Sequence, residues 1–101
     1  MRERGIDGNQ REIVDDLFRQ GRTTQDLSMV GHGCPDIITG GQSPCPNCGF
    51  LIHMNHLFEI KTKKGKLQEN QKRWHKKWAG QVHVIRSTFE ALKIMGVKIG
   101  K

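Results

Sequence analysis

The sequence contains no apolar run near the roughly 18–20 residues needed to cross a bilayer. Its first ten residues, MRERGIDGNQ, lack the apolar stretch of a secretory signal, so an intracellular, cytoplasmic protein is expected. There is no internal repeat and no low-complexity tract. Cysteine is scarce and odd in number, at positions 34, 45 and 48, which argues against a closed disulfide framework and leaves reduced thiols or metal ligands. Acidic residues are also few: 10 Asp plus Glu face 17 Lys plus Arg, a formal net charge of +7. That imbalance favours a polyanionic partner, with nucleic acid the first candidate and plain solubility the bland alternative. A chain of 101 residues suffices for one domain with a single modest core.

Hydrophobic spacing supplies the elements. Residues 9–20, NQREIVDDLFRQ, predict an amphipathic helix with Gln10, Ile13, Val14, Leu17 and Phe18 on one face and Gly21 at its stop. Asp7 to Gln10 resembles a capping box. Ile37-Ile38-Thr39 reads as a short strand, and 40–49, GGQSPCPNCG, as a loop or hairpin tip rich in turn formers. Residues 50–61 hold one or two strands, most clearly over 57–62. A second helix is expected over 67–80, with Leu67, Gln71, Trp74 and Trp78 on one stripe and the tryptophans in the core. VHVIR (82–86) reads as a buried strand, and Ser87 caps a last helix closed by Gly96. The expected order is α-β-β-α-β-α: an α/β fold with a small mixed sheet flanked by helices. The strand ending at 62 and the strand at 82–86 should be parallel neighbours joined by a helical crossover.

In FEIKTKKGK, residues 58–66, strand alternation puts Glu59 and Lys61 on one face and Phe58 and Ile60 on the other. Asp36 stands at the lip of the preceding strand, so two neighbouring strands can bring Asp36, Glu59 and Lys61 to one point. A carboxylate pair suits a hard divalent cation, and a lysine beside it can meet a phosphate oxygen or orient a water. The bland readings are a turn cap for Asp36 and a surface ion pair for Glu59 and Lys61.

Pro35-Asp36 and Glu59-Ile60-Lys61, with GCPDII (33–38), FEIKT (58–62) and GKLQENQKRW (65–74), resemble the PD-(D/E)xK nuclease superfamily and, within it, the VRR-NUC domain. Archaeal Holliday-junction resolvases are a more distant likeness. The resemblance implies a restriction-endonuclease-like core and one nuclease domain over 1–101, with a Cys-containing loop insertion at 40–56. It further implies an endodeoxyribonuclease dependent on Mg2+ or Mn2+, acting as a homodimer on branched DNA such as Holliday junctions, of the kind encoded by bacteria or phages. Asp36, Glu59 and the backbone carbonyl of Ile60 are the implied metal ligands, and Gln71 sits where a helix glutamine completes the site. A further acid is expected from the first helix. Asp7 or Glu3, in a stretch like the E-x-x-I-E opening of phage-type members, is preferred to Glu12, although Asp7 could simply be an N-cap.

Two features stand beside this. Cys45-x-x-Cys48 has the form of a zinc knuckle, with His53 and His56 as further candidate ligands for structural Zn2+; the bland reading is a turn with two thiols. Lys63, Lys64, Lys66, Lys72, Arg73, Lys76 and Lys77 form a basic belt suited to DNA phosphates without base reading. The apolar segment ALKIMGVKI is a candidate dimer surface. The alternative function is a zinc-knuckle DNA-binding module without catalysis.

Overall fold

The computed structural model describes residues 9–97. Seven elements follow in order: α1 (Gln10–Arg19), β1 (Thr23–Asp26), β2 (Ile37–Pro44), β3 (Leu51–Ile60), α2 (Glu69–Lys77), β4 (His83–Ile85) and α3 (Thr88–Ile94). The sheet order is β1-β2-β3-β4; the first two pairings are antiparallel and β3–β4 is parallel. The described residues therefore form a small mixed α/β protein with a four-stranded mixed sheet and three helices, and the crossover from β3 through α2 to β4 has the expected parallel outcome.

The core lies where α1 and α3 meet the sheet. Ile13 and Leu17 from α1, Ile37, Phe58, Ile60 and Ile85 from the strands, and Ala91, Leu92 and Met95 from the last segment are buried together. Each of the larger side chains, Ala91 aside, contributes about 1.5–3 kcal/mol by leaving water. Gly21 and Gly96 end α1 and α3 in left-handed conformations, as their positions required. Ser87 Oγ accepts the Glu90 amide of α3.

Several expectations need correction. A strand at Thr23–Asp26 was not foreseen, so the order is α-β-β-β-α-β-α; it is a largely exposed, polar edge strand without an apolar rhythm. Of the two readings of 40–49, the hairpin tip holds, but it is confined to 45–50: β2 runs to Pro44 and β3 starts at Leu51. The segment 40–56, expected as a Cys-containing loop, is mostly paired strand and forms the outer half of a hairpin. Gly41 has a steric reason to be glycine there, because a Cβ would fall 2.1 Å from Nη1 of Arg22. That arginine is buried, and its Nη2 donates to Ser43 Oγ at 2.8 Å.

Phe18 shares a cleft with Gln10 and Val14 of the predicted face but is 52% exposed. Helix α2 buries none of its residues; Trp74 is half-buried and Trp78 is 44% exposed, stacked on Trp74 at 4.6 Å, so the tryptophans are not core. Ala91, Leu92 and Met95 of ALKIMGVKI are taken up by the core, Ile94 remains 37% exposed, and positions 98 and 99 of that segment lie outside the described residues. The N-cap of α1 is Asn9, whose side chain makes no capping bond.

Candidate active site

Phe58 and Ile60 belong to the core, which turns the intervening Glu59, and Lys61 beyond, toward the other face of the sheet. Glu59 is 1% exposed and Lys61 8%. Asp36, at the start of β2, is fixed from three sides. Its amide donates to the Phe58 carbonyl at 3.0 Å, and its own carbonyl accepts from Leu27 at 2.8 Å. The Ile60 amide donates to its Oδ2 at 2.7 Å. Strand pairing thus delivers the Asp36 carboxyl to the end of β3, against Glu59.

Gln71 joins them from α2. The backbone amide of Gln68 donates to Gln71 Oε1 at 2.8 Å, and Gln71 Nε2 donates to Glu59 Oε2 at 3.1 Å. Gln68 accepts the Gln71 backbone amide in return, completing a capping box. The same side chain caps a helix and points its donor at a buried carboxylate, so its orientation is set at both ends. Lys61 Nζ lies 3.7 Å from the same Glu59 oxygen. Four residues predicted as one site are brought together.

The electrostatics are those of crowded acids. Burial first, then the charge of Asp36 and a hydrogen bond with it, push Glu59 up to about 8; Lys61 pulls in the opposite direction. Two carboxylates this close do not both ionise unless a cation compensates them. Glu59 Oε1 is buried with no hydrogen bond, an acceptor left over after Gln71 and Lys61 have taken Oε2. A hard divalent cation fits that donor set. Among the described residues no third His, Cys, Asp or Glu joins the pair to form a ligand cluster.

Other residues at the site carried little sequence signal. Gly31, His32 and Gly33 are three successive left-handed residues, with φ of 76°, 58° and 84°. A Cβ on Gly33 would fall 2.3 Å from the Asn70 carbonyl oxygen and 3.1 Å from the Gln71 amide. This close approach seats α2 beside Asp36, and only glycine meets both its φ and its space. His32 lines a cleft of roughly 470 Å3 with Asn70, Arg73, Trp74 and Lys77. His75, one turn beyond Gln71, is half-buried with Nε2 unpartnered; burial first, then the Lys61 charge, lower its pKa. Burial, then Glu59 and Asp36, raise the Cys34 thiol. Asn9 Nδ2 donates to the carbonyls of Lys61 at 3.1 Å and Arg86 at 3.2 Å, tying the start of α1 to the strand ends beside the site.

The remaining predicted residues are dispersed. Asp7 and Glu3 lie outside the described residues, and Glu12 is exposed on α1. Lys63, Lys64, Lys66, Lys72, Arg73, Lys76 and Lys77 are all exposed. Glu69 approaches both Lys72 and Arg73, at 3.8 and 4.0 Å. Arg86 anchors the lysine loop through bonds to the Lys63 and Gly65 carbonyls. Cys45 and Cys48 share the hairpin turn, but His56 is buried between Phe58 and His83, and His53 pairs with Gln42 along the ladder. The four are not gathered into one site.

In comparison with known proteins, no family model, no curated protein and no solved structure matches the chain.

Proposed function

We propose that the chain is a divalent-metal-dependent endodeoxyribonuclease with a PD-(D/E)xK-type core of the VRR-NUC kind. The observation that carries this reading is the meeting of Asp36, Glu59, Lys61 and Gln71 at one buried point, reached from two strands and a helix. Two surface ion pairs or turn caps would not require four polar groups to converge out of water.

Asp36 and Glu59 would hold the ion, Mg2+ or Mn2+, with the Ile60 carbonyl as the further ligand implied by the resemblance. When bound, the ion supplies a water of lowered pKa and a positive charge against the phosphate. The protein's own groups do the rest. Lys61 keeps an ammonium beside the acids, where it can meet a phosphoryl oxygen or orient a water. Gln71, held at both ends of its amide, fixes the Glu59 carboxylate. The lysine loop and α2 offer Lys63, Lys64, Lys66, Lys72, Arg73 and Lys76 to the DNA backbone, a contact without sequence information. Branched DNA, cut by a homodimer within the cell, is the substrate class that best suits such backbone binding and two-fold pairing.

The test is incubation of a four-way junction with the protein and Mg2+, Mn2+ or EDTA. Nicks in Mg2+ or Mn2+ and none in EDTA are expected. A stable complex with no nicks under any condition would make the chain a binding module instead.

A further inference from the structure

The far end of the β2–β3 hairpin is also built for chemistry. The turn closes with the Cys45 amide donating to the Phe50 carbonyl and the Gly49 amide to the Cys45 carbonyl, both at 2.8 Å. Within it the Asn47 amide donates to Cys45 Sγ at 3.4 Å. Amides aimed at a sulfur in a C-x-x-C turn spread the charge of a thiolate, as a metal knuckle requires. The Asn47 amide first, then the Cys48 amide and the Cys48 thiol, hold the Cys45 thiol below its ordinary pKa. Cys48 is exposed and Cys45 partly so.

Two thiolates fill half of a tetrahedral zinc site. The described residues do not supply the other half: His56 is buried elsewhere, and no three candidate ligands are grouped among them. Beside the thiols, Phe50, Leu51 and Ile52 are 75%, 64% and 40% exposed, three consecutive apolar side chains in water. A second copy of the same tip, related by a two-fold axis, meets both deficits. It brings two more thiolates and an apolar rim of identical chemistry.

We propose that the hairpin tip is a zinc half-site, and that one Zn2+ held by Cys45 and Cys48 of two copies joins them into a dimer. Each thiol releases its proton to solvent on binding, four per ion, and zinc undergoes no redox change. A ladder of seven steps, roughly 23 Å at ~3.3 Å per residue, lies between the tip and the acids at the hairpin base, so the proposal is independent of the nuclease reading.

The experiment measures zinc content and native mass of the full reduced chain, loaded with Zn2+, before and after a strong chelator. Glu59→Gln, whose tip is intact, is measured alongside to keep ions at the carboxylates out of the count. Expected are one zinc per two chains in a dimer that falls to monomers on chelation. Cys45→Ser and Cys48→Ser should be zinc-free monomers with the circular dichroism and Tm of the zinc-free parent. A monomer with one zinc per chain, a dimer that survives in Cys45→Ser, or a reduced chain that takes up no zinc would each overturn it.

Discussion

At the base of the β2–β3 hairpin, Asp36, Glu59 and Lys61 are buried; at its tip, Cys48, Phe50 and Leu51 stand in water. Both ends come from one ladder, yet they solve different problems. At the base, α2 reaches the strand through Gln71, which donates to Glu59, and Gly33 lies close against Asn70 of the same helix. Desolvation there makes each polar contact count and makes the acid pair unstable without a compensating cation. At the tip Cys48 is exposed and Cys45 partly so; backbone amides and the Cys48 thiol point at Cys45, and among the described residues no further ligands are grouped with them. Burial, more than residue type, separates a site complete in one chain from one that needs a partner.

The comparison breaks most visibly in activity. Asp36→Ala, Glu59→Ala or Lys61→Ala should lower DNA cleavage by about 10^3-fold or more while junction binding persists in a mobility-shift assay. Next in size is Gln71→Ala, expected to cost about 10–100-fold in cleavage, as for a residue that orients a ligand. It also loses a capping interaction of about 1 kcal/mol, read as a fall in Tm.

Gly33→Ala follows. It forces a Cβ against Asn70 at φ +84° and should destabilise the fold by about 1–3 kcal/mol, with cleavage falling alongside as α2 shifts. A Tm equal to that of the parent would show that α2 does not depend on this contact.

A pH dependence completes the set. Glu59 binds its proton more tightly folded, near 8, than at its ordinary 4.5. Its contribution to stability is therefore fully present below about pH 4.5 and is lost as pH rises through 8 in a metal-free protein. Mg2+ or Mn2+ should offset that loss, raising Tm more at pH 8 than at pH 6, and Glu59→Gln should remove both trends. Equal pH profiles for parent and Glu59→Gln would contradict the burial of an ionisable pair.

Much of this was legible in the sequence because it rests on local periodicity. Strand alternation put Glu59 and Lys61 on one face, and helical spacing located α1 and α2 to within a few residues. Thr23–Asp26 was not legible because an edge strand needs partners rather than an apolar rhythm. Gly40 to Pro44 read as loop because the reason for Gly41, the Arg22 guanidinium, is 19 positions away in the chain. The same holds at the site: Gly33 matters through Asn70, and Asn9 through Lys61, contacts that only the fold creates. The exposure of Phe18 and Trp78 shows the limit of periodicity, which marks a helix face without saying how much of it is covered.

The most direct measurement is a Mn2+ titration of the chain at pH 7.5, by calorimetry or by the loss of the free-ion electron paramagnetic resonance signal, beside Asp36→Asn and Glu59→Gln. One ion per chain in the parent, lost in both variants, is the result expected if the two carboxylates share a cation. Mn2+ bound equally well by all three proteins would mean that residues 36 and 59 do not hold it.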